Sequence, residues 1–185
     1  MISHKYKFIF VHVPKTGGIS ILKALGGMAK RHMPLSHYAK NNNDYFKFTF
    51  VRNPWCRLVS CYHYFKKYGR KIGHDKSTGI IVNKYINFKE FCQNIDDVIA
   101  NVKAPHFRQM YSWIDSTIDF IGKTENLQED FNTICDKIGI PQQELPHINK
   151  TKHKHYTEYY DDETRQIVAE KYAKDIEYFG YEFGE

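Results

Sequence analysis

The residues whose types and spacing most clearly suggest a binding or catalytic role lie at 14–20, directly after an apolar run. They comprise one cation, two hydroxyl residues and two glycines: Lys15, Thr16, Gly17, Gly18 and Ser20. The glycines allow a sharp turn and a close approach of the backbone to a ligand. The lysine adds a positive charge, the hydroxyls can donate hydrogen bonds, and a helix that begins here would add N–H groups and a positive dipole end. The segment therefore predicts a loop that binds phosphate or an isoelectronic group, with a plain strand-to-helix turn as the alternative.

The position of the lysine within this loop bears on the class of nucleotide-binding protein. In the Walker A loop of nucleoside-triphosphate hydrolases, GxxxxGK[ST], the lysine follows the glycines. Lys15 instead precedes Gly17 and Gly18, and the loop is shorter. The sequence therefore disfavours an ordinary nucleoside-triphosphate hydrolase.

A second set of polar residues follows the apolar run at 46–51. Arg52 comes at the end of this predicted strand, and Ser60 lies on the helix predicted at 55–68. A guanidinium suits phosphate because its planar fork gives paired, charge-assisted hydrogen bonds. The sequence therefore predicts a second anion site beside the first. Arg57, on the same helix, is predicted to be either a solvated helix charge or a further contributor to that site.

The elements that must position these residues alternate between strands and helices. Apolar runs typical of strands lie at 7–13, 46–51 and 117–122. Helical periodicity predicts helices at 19–30, 55–68, 87–100, 126–138 and 161–178. Residues 71–83 are predicted to form a loop and residues 106–113 a short helix. This alternation predicts an α/β fold, a three-layer parallel sheet flanked by helices, with ligands at the carboxyl ends of the strands.

The length and the composition fit one globular domain with an anionic partner. With 185 residues, of which 42% are hydrophobic, the chain can fill one core, and a single domain is predicted over residues 1–185. The formal charge of +6 suits a nucleotide, an acidic glycan, nucleic acid or an anionic membrane. Nucleic acid is disfavoured because the densest basic cluster, at 150–155, is short and lacks a known reader motif.

The cysteines and the apolar segments bear on the cellular compartment. The four cysteines show no CxxC spacing and no pairing with histidines that resembles a zinc site, so free thiols in a reducing compartment are predicted. The sequence has no apolar signal segment at its N-terminus and no run of about 18 apolar residues. We therefore expect a soluble, cytoplasmic protein without an integral membrane segment. The sequence makes no prediction of the oligomeric state.

Two motifs, in their order along the chain, resemble a known family. Residues 14–20, PKTGGIS, and residues 51–65, VRNPWCRLVSCYHYF, resemble the two nucleotide-binding elements of sulfotransferases that use 3′-phosphoadenosine 5′-phosphosulfate (PAPS), especially the carbohydrate sulfotransferases of the heparan and chondroitin type. The resemblance extends to residues 120–131, 145–156 and 172–183, and so covers nearly the whole chain. It implies a P-loop-like nucleotide-binding fold, PAPS as the donor and an acceptor hydroxyl on a carbohydrate.

The resemblance also implies roles for individual residues. The 5′-phosphosulfate would be held by Lys15, Thr16, Gly17, Gly18, Ile19 and Ser20. The 3′-phosphate would be held by Arg52 and Ser60, in agreement with the chemistry of their side chains. Contacts to a phosphate or to the adenine side are implied for Lys150, Thr151 and Lys152, for which a solvated basic loop is the alternative.

Sulfuryl transfer to a hydroxyl needs a stabilised leaving group and a general base. Lys15 would stabilise charge on the bridging oxygen as adenosine 3′,5′-bisphosphate leaves, and no metal is required. For the base, the resemblance points to His32, because similar enzymes carry a catalytic histidine in this region; His37 and then His106 are the next candidates. His12, on the first strand, is predicted to be buried beneath the loop.

Two other functions stay open at the level of the sequence. A nucleotide-dependent phosphotransferase would need magnesium and prefer ATP, and the order of lysine and glycines in the loop disfavours it. A nonenzymatic domain would retain binding of a nucleotide or a sulfated ligand without a working base. If the acceptor is a carbohydrate, residues 71–83 and 106–113 are candidate cleft segments, with Tyr111 and Trp113 as sugar-stacking aromatics unless they pack in the core.

Overall fold

A computed structural model describes residues 1–28, 32–38, 42–68, 76–102, 104–146 and 154–185. The chain divides into two compact units. The first comprises Met1–Arg52 and Met110–Lys150, and the second comprises Asn53–Gln109 and Thr151–Glu185. The single domain over residues 1–185 therefore stays a prediction.

The first unit contains a sheet of four strands in the order β1-β2-β3-β4. The strands are β1 (Ile2–Ser3), β2 (Phe8–Val11), β3 (Phe46–Val51) and β4 (Phe120–Lys123). The last three are parallel, as predicted, whereas β1 pairs antiparallel with β2. The prediction of a wholly parallel sheet is therefore wrong at this edge, because two residues are too few to show a periodic pattern.

The register of the sheet brings the carboxyl ends of its parallel strands to one edge. Val11 lies opposite Thr49, and Val51 lies opposite Lys123. The chain that follows each strand therefore starts at this edge, where ligands bind in open α/β sheets. The prediction that the two anion-binding segments lie beside each other requires that their strands end at the same edge of the sheet.

Two helices of the first unit, α1 (Gly18–Ala24) and α6 (Leu127–Ile138), pack on one face of the sheet. The core between them is rich in phenylalanine: Phe8, Phe10, Phe48, Phe50 and Phe131, with Ile21, Leu22 and Ile134. Phe10 and Phe48 stack with ring centroids 5.1 Å apart. Burial of these large rings is the main stabilising contribution in this unit.

Helix α1 is shorter than the helix predicted at 19–30. It ends at Ala24, and the chain turns at Gly26, whose φ of 67° lies in the left-handed region. The N–H of Gly27 then donates to the carbonyl of Leu22 at 2.7 Å, which closes the helix end. The two consecutive glycines thus end the helix rather than only weakening it.

The second unit is helical. Its helices are α2 (Pro54–Tyr68), α3 (Lys76–Val82), α4 (Phe88–Gln93), α5 (Ile95–Asn101), α7 (Asp162–Lys171) and α8 (Ala173–Phe179). The start of α2 is as predicted, because the Asn53 side-chain oxygen accepts from the N–H of Trp55 at 3.1 Å and Pro54 occupies the first helical position.

Several predicted elements of this unit are divided in the structure. The helix predicted at 87–100 breaks at Asn94, whose side-chain amide donates to the carbonyl of Glu90 at 2.9 Å. The helix predicted at 161–178 breaks at Tyr172. The loop predicted at 71–83 is wrong for Lys76–Val82, which is helical. Within the described parts of the chain, no helix has the length and apolar character needed to cross a membrane.

Candidate functional site

The loop between β2 and α1 contains two residues with left-handed backbone. Gly17 has a φ of 76°, and Lys15 has a φ of 69°. This conformation is free of steric penalty for glycine but costs about 1–2 kcal/mol for a residue with a Cβ atom. A strained residue of this kind persists only where its surroundings fix it, and such residues are common at functional sites.

Side chains around the loop hold its neighbouring residues. The hydroxyl of Thr16, which is fully buried, donates to the carbonyl of Val13 at 2.9 Å. The Thr16 hydroxyl is thereby engaged within the loop, so what Thr16 can offer a ligand is its backbone N–H. Ser20, 7% exposed, lies in the first turn of α1, and its N–H donates to the carbonyl of Gly17 at 3.0 Å.

The two glycines of the loop are required by protein contacts. A Cβ atom at Gly18 would lie 2.1 Å from Cδ2 and 2.3 Å from Nε2 of His12. A Cβ atom at Gly17 would lie 3.0 Å from Cδ2 of Leu127, in addition to the backbone strain. His12 is 9% exposed, so its predicted burial beneath the loop is confirmed. The glycines therefore let the loop close onto His12 and α6.

His32 is hydrogen-bonded to the backbone of His12, the residue that follows β2. The Nδ1 atom of His32 lies 2.9 Å from the carbonyl oxygen of His12, and the two rings have centroids 4.3 Å apart. Because a carbonyl oxygen only accepts, Nδ1 must carry the proton of this hydrogen bond. In the neutral imidazole, Nε2 is then the unprotonated nitrogen. The edge of the buried Trp113 ring, with a centroid distance of 6.2 Å, packs against the same imidazole.

The other candidate bases have different surroundings. His37 is exposed on the short 3-10 helix Leu35–His37, where its ring meets that of Tyr38 edge-on. His106 belongs to the second unit, where it is 8% exposed and its ring stacks on that of Tyr64 at 5.6 Å. Of the three predicted bases, His32 is thus the one that the described contacts connect to the loop.

Arg52 lies at the end of β3 and contacts the loop. Its Nη1 atom donates to the carbonyl oxygen of Lys15 at 3.4 Å. The neighbouring strand end is tied in as well, because the hydroxyl of Thr124 donates to the carbonyl of Val51 at 2.7 Å. Lys123, on the neighbouring strand β4, lies opposite Val51 in the register of the sheet. Three consecutive strand ends therefore present Lys15, Arg52 and Lys123 along one edge of the sheet.

The remaining predicted residues lie elsewhere or outside the description. Ser60 lies on α2 in the second unit and is 5% exposed. Lys150, Thr151 and Lys152 lie outside the described residues. Trp113 is only 1% exposed, so the predicted alternative of core packing is confirmed for this residue, and its ring packs against that of His32.

Arg57 is not a solvated charge. It is 2% exposed, and its Nη2 atom donates to the carbonyls of His106 at 2.8 Å and Arg108 at 2.6 Å. Its Nη1 atom lies 3.9 Å from the carboxylate of Asp175, which is fully buried. The solvated charge predicted as one alternative for Arg57 is therefore wrong, because this guanidinium is held inside the second unit; a contribution of Arg57 to the anion site stays a prediction.

Some features of this site have no signal in the sequence. The carbonyl of His12 is a backbone group, and Thr124 and Leu127 belong to a segment more than 100 residues beyond the loop. The position of Thr124, shortly after the strand predicted at 117–122, is the one sequence feature that indicates its location at this edge of the sheet. Among the described residues, no three histidine, cysteine, aspartate or glutamate side chains are grouped as a metal ion would require.

Comparisons of the sequence with known proteins find relatives among the carbohydrate sulfotransferases. Carbohydrate sulfotransferase 14 from Danio rerio is 26% identical over 226 aligned residues, which cover 98% of this chain and 61% of the relative. Carbohydrate sulfotransferase 9 from Homo sapiens is 27% identical over 216 residues, covering 95% of this chain and 47% of the relative. An uncharacterized protein from Archaeoglobus fulgidus is 30% identical over 114 residues, which are 62% of this chain.

The chain spans about half to three-fifths of the length of these two carbohydrate sulfotransferases. No solved structure matches it. The model of the sulfotransferase family, in contrast, matches residues 1–182, nearly the full sequence, and so confirms the resemblance. The chain therefore belongs to the sulfotransferase family.

Proposed function

We propose that this protein is a PAPS-dependent sulfotransferase that transfers a sulfuryl group to a hydroxyl of a carbohydrate. The observation that carries the proposal is the connection of three groups in the first unit. Lys15 lies in a strained loop, Arg52 donates to the carbonyl of Lys15, and His32 is oriented by the strand that leads into the loop. Cation, phosphate ligand and base are the parts that sulfuryl transfer needs.

The residues present fit an anionic nucleotide donor. Lys15 and Arg52 are cations on neighbouring strand ends, and the loop supplies the backbone N–H groups that suit a phosphosulfate. Ser60 is the proposed second ligand of the 3′-phosphate, and Lys150, Thr151 and Lys152 are proposed to contact the nucleotide. When bound, PAPS supplies an activated sulfuryl group.

Lys15 is proposed to stabilise the negative charge that develops on the leaving oxygen. An ammonium close to that oxygen acts more strongly in the transition state than in the ground state, since the charge is then larger. In this reaction, as in phosphoryl transfer, positioning of the reactants and electrostatic stabilisation of the transition state supply most of the rate acceleration. We propose that it needs no metal, because the positive charge is supplied by the side chains.

His32 is proposed to accept the proton of the acceptor hydroxyl. The hydrogen bond from Nδ1 to the His12 carbonyl fixes the tautomer in which Nε2 is basic. The packing of the ring between His12 and Trp113 fixes its orientation. A base held in this way avoids the cost of ordering a mobile side chain during the reaction.

The acceptor class is proposed from the relatives, two of which are named as carbohydrate sulfotransferases. The particular glycan is left open, because the chain spans only part of those relatives. We also propose a reducing, cytoplasmic setting, which is consistent with four free cysteines in the structure. No nucleic-acid partner is proposed.

The experiment that tests the function uses PAPS labelled with 35S and a panel of desulfated glycosaminoglycans and simple sugars. We expect label to enter at least one glycan, with release of adenosine 3′,5′-bisphosphate, and Lys15→Ala to abolish both. Lys23→Ala is the matched control, because Lys23 is exposed on α1 and lies outside the loop. Phosphate transfer from ATP with magnesium, without sulfuryl transfer, would establish the phosphotransferase alternative. Nucleotide binding without any transfer would favour a nonenzymatic domain.

A further inference from the structure

The strained backbone of Lys15 needs a cause within the protein. A lysine with a φ of 69° does not adopt that conformation by local preference. The residues beside it are held by other groups, since the Thr16 hydroxyl bonds to Val13 and Leu127 supports Gly17. Arg52 contacts the Lys15 peptide directly, since its Nη1 atom donates to the Lys15 carbonyl oxygen at 3.4 Å.

We propose that Arg52 is a positioning residue for Lys15 in addition to a ligand of the 3′-phosphate, and that it couples the two ends of the donor site. This inference rests on the proposed function for its catalytic consequence, but the contact itself does not. A hydrogen bond from a charged donor is stronger than one between neutral groups, so it can offset part of the strain at Lys15.

The chemistry of the guanidinium permits both roles at once. It carries five N–H donors in a rigid planar fork, which is more than one carbonyl oxygen takes up. A lysine at this position would keep the charge but would offer a single donor atom, Nζ, in place of the fork. The geometry of the site therefore depends on an arginine, and the charge alone is insufficient.

A specific consequence distinguishes this account from a pure phosphate ligand. If Arg52 only binds the 3′-phosphate, its removal should not affect a donor that lacks that phosphate. If Arg52 also holds the loop, its removal should weaken the binding of such a donor too. Adenosine 5′-phosphosulfate, which is PAPS without the 3′-phosphate, is the probe that separates the two cases.

The first readout is the hydrogen exchange of the backbone amides at residues 12–20 in the ligand-free protein. We expect Arg52→Ala to raise their exchange rates about tenfold and Arg52→Lys to raise them less, because the loop loses its anchor at Lys15. Lys23→Ala is the control that keeps wild-type rates, since the Lys23 side chain is exposed. Exchange rates that stay at the wild-type value in both Arg52 variants would overturn the proposal.

The second readout is calorimetric affinity. We expect Arg52→Ala to weaken the binding of adenosine 5′-phosphosulfate about tenfold, equivalent to about 1.4 kcal/mol, and that of adenosine 3′,5′-bisphosphate by a larger factor. Ser60→Ala should weaken the bisphosphate alone. Unchanged affinity of Arg52→Ala for adenosine 5′-phosphosulfate, with loss of the bisphosphate, would reduce Arg52 to a phosphate ligand and overturn the coupling.

The two readouts separate this inference from the proposed function. A wild-type protein that binds neither nucleotide, while Arg52→Ala still exchanges faster, would leave the anchoring role intact and contradict the donor site. In the opposite case the wild-type protein binds both nucleotides, and Arg52→Ala keeps the wild-type exchange rates and the wild-type affinity for adenosine 5′-phosphosulfate. That result would support the donor site and contradict the anchoring role of Arg52. Arg52→Lys, which keeps the charge, covers the case in which Arg52→Ala fails to fold.

Discussion

Arg52 and Arg57 lie five residues apart in one motif, yet their surroundings differ. Arg52 is half-buried at a sheet edge in the first unit and donates to the carbonyl of a strained loop residue. Arg57 is 2% exposed in the second unit, where two carbonyls and the Asp175 carboxylate surround it. The same side chain therefore contacts a strained loop in one place, where we propose a ligand site, and belongs to the folded core in the other.

The difference teaches that partners, and not residue type, decide what a cation does. A guanidinium whose donors bond to buried carbonyls stabilises the fold, and removing it leaves those acceptors unsatisfied. Removing a cation that lies beside a loop lowers the free energy of unfolding only slightly. The anionic ligand that this cation would neutralise, however, loses a partner. Substitutions in the two regions should consequently change different observables.

The largest effect is expected for Lys15→Ala. The rate of sulfuryl transfer should fall by about 10³-fold, because one charged group that stabilises the leaving oxygen is lost. Nucleotide affinity should fall by less than about tenfold, since the loop N–H groups are retained. Single-turnover assays and calorimetry measure the two quantities. A Lys15→Ala variant that transfers at the wild-type rate would exclude the assigned role.

His32→Ala should lower the transfer rate by about 10²-fold, because a positioned base is lost. Single-turnover assays measure this loss. His37→Ala is the matched control, since His37 is exposed and its described ring contact is with Tyr38. Equal losses in both variants would mean that the hydrogen bond to His12 has no bearing on catalysis.

Arg57→Ala should lower the free energy of unfolding by about 3–5 kcal/mol, because the buried Asp175 carboxylate loses its arginine and the carbonyls of His106 and Arg108 lose their donor. Arg52→Ala should lower it by less than about 1 kcal/mol, as is usual for a residue outside the core. Urea unfolding of both variants tests this contrast directly. A reversed order of the two losses would break the comparison on which the account depends. Arg57→Lys serves if Arg57→Ala does not fold.

The smallest effect concerns an exposed ion pair in the second unit. The hydrogen bond from Lys89 holds the pKa of the Asp161 carboxyl well below its usual range. This contribution to stability is therefore present above the usual aspartate pKa, near pH 4, and is lost as the pH falls through the lowered pKa. Solvent screens the pair, so the gain is small.

Asp161→Asn is the matched variant for this ion pair, because asparagine keeps the N-cap of α7. Its melting temperature should lie slightly below that of the wild type at pH 7, and the two should converge in strong acid. A difference between them that grows as the pH falls would contradict the sign of this prediction.

Features encoded by neighbouring residues were predictable from the sequence. The bounds of β3 and the capped start of α2 follow from an apolar run, Asn53 and Pro54 within nine residues. The turn at Gly17 and the start of α1 at Gly18 follow from the residue types and their order at residues 14–20. Each of these depends on contacts that are short in sequence, so a local pattern is sufficient evidence for it.

Features that depend on distant contacts were not predictable. The guanidinium that donates to the Lys15 carbonyl lies 37 residues away, and the tautomer of His32 is set by a carbonyl 20 residues away. Arg57 was assigned to the surface or to a ligand because its partners, among them Asp175, come from remote segments. No local sequence pattern predicts to which buried acceptor a cationic side chain will donate a hydrogen bond.

The most direct test of the central claim is a thermal-shift comparison of adenosine 3′,5′-bisphosphate with ADP and with ATP plus magnesium. A ligand at about 100 times its Kd adds about 2.7 kcal/mol to the free energy of unfolding, which for 185 residues is about 5–10 °C in Tm. The account predicts a shift of this size with the bisphosphate and a clearly smaller one with ADP or ATP. A shift with ATP and magnesium alone, or none with any nucleotide, would contradict it.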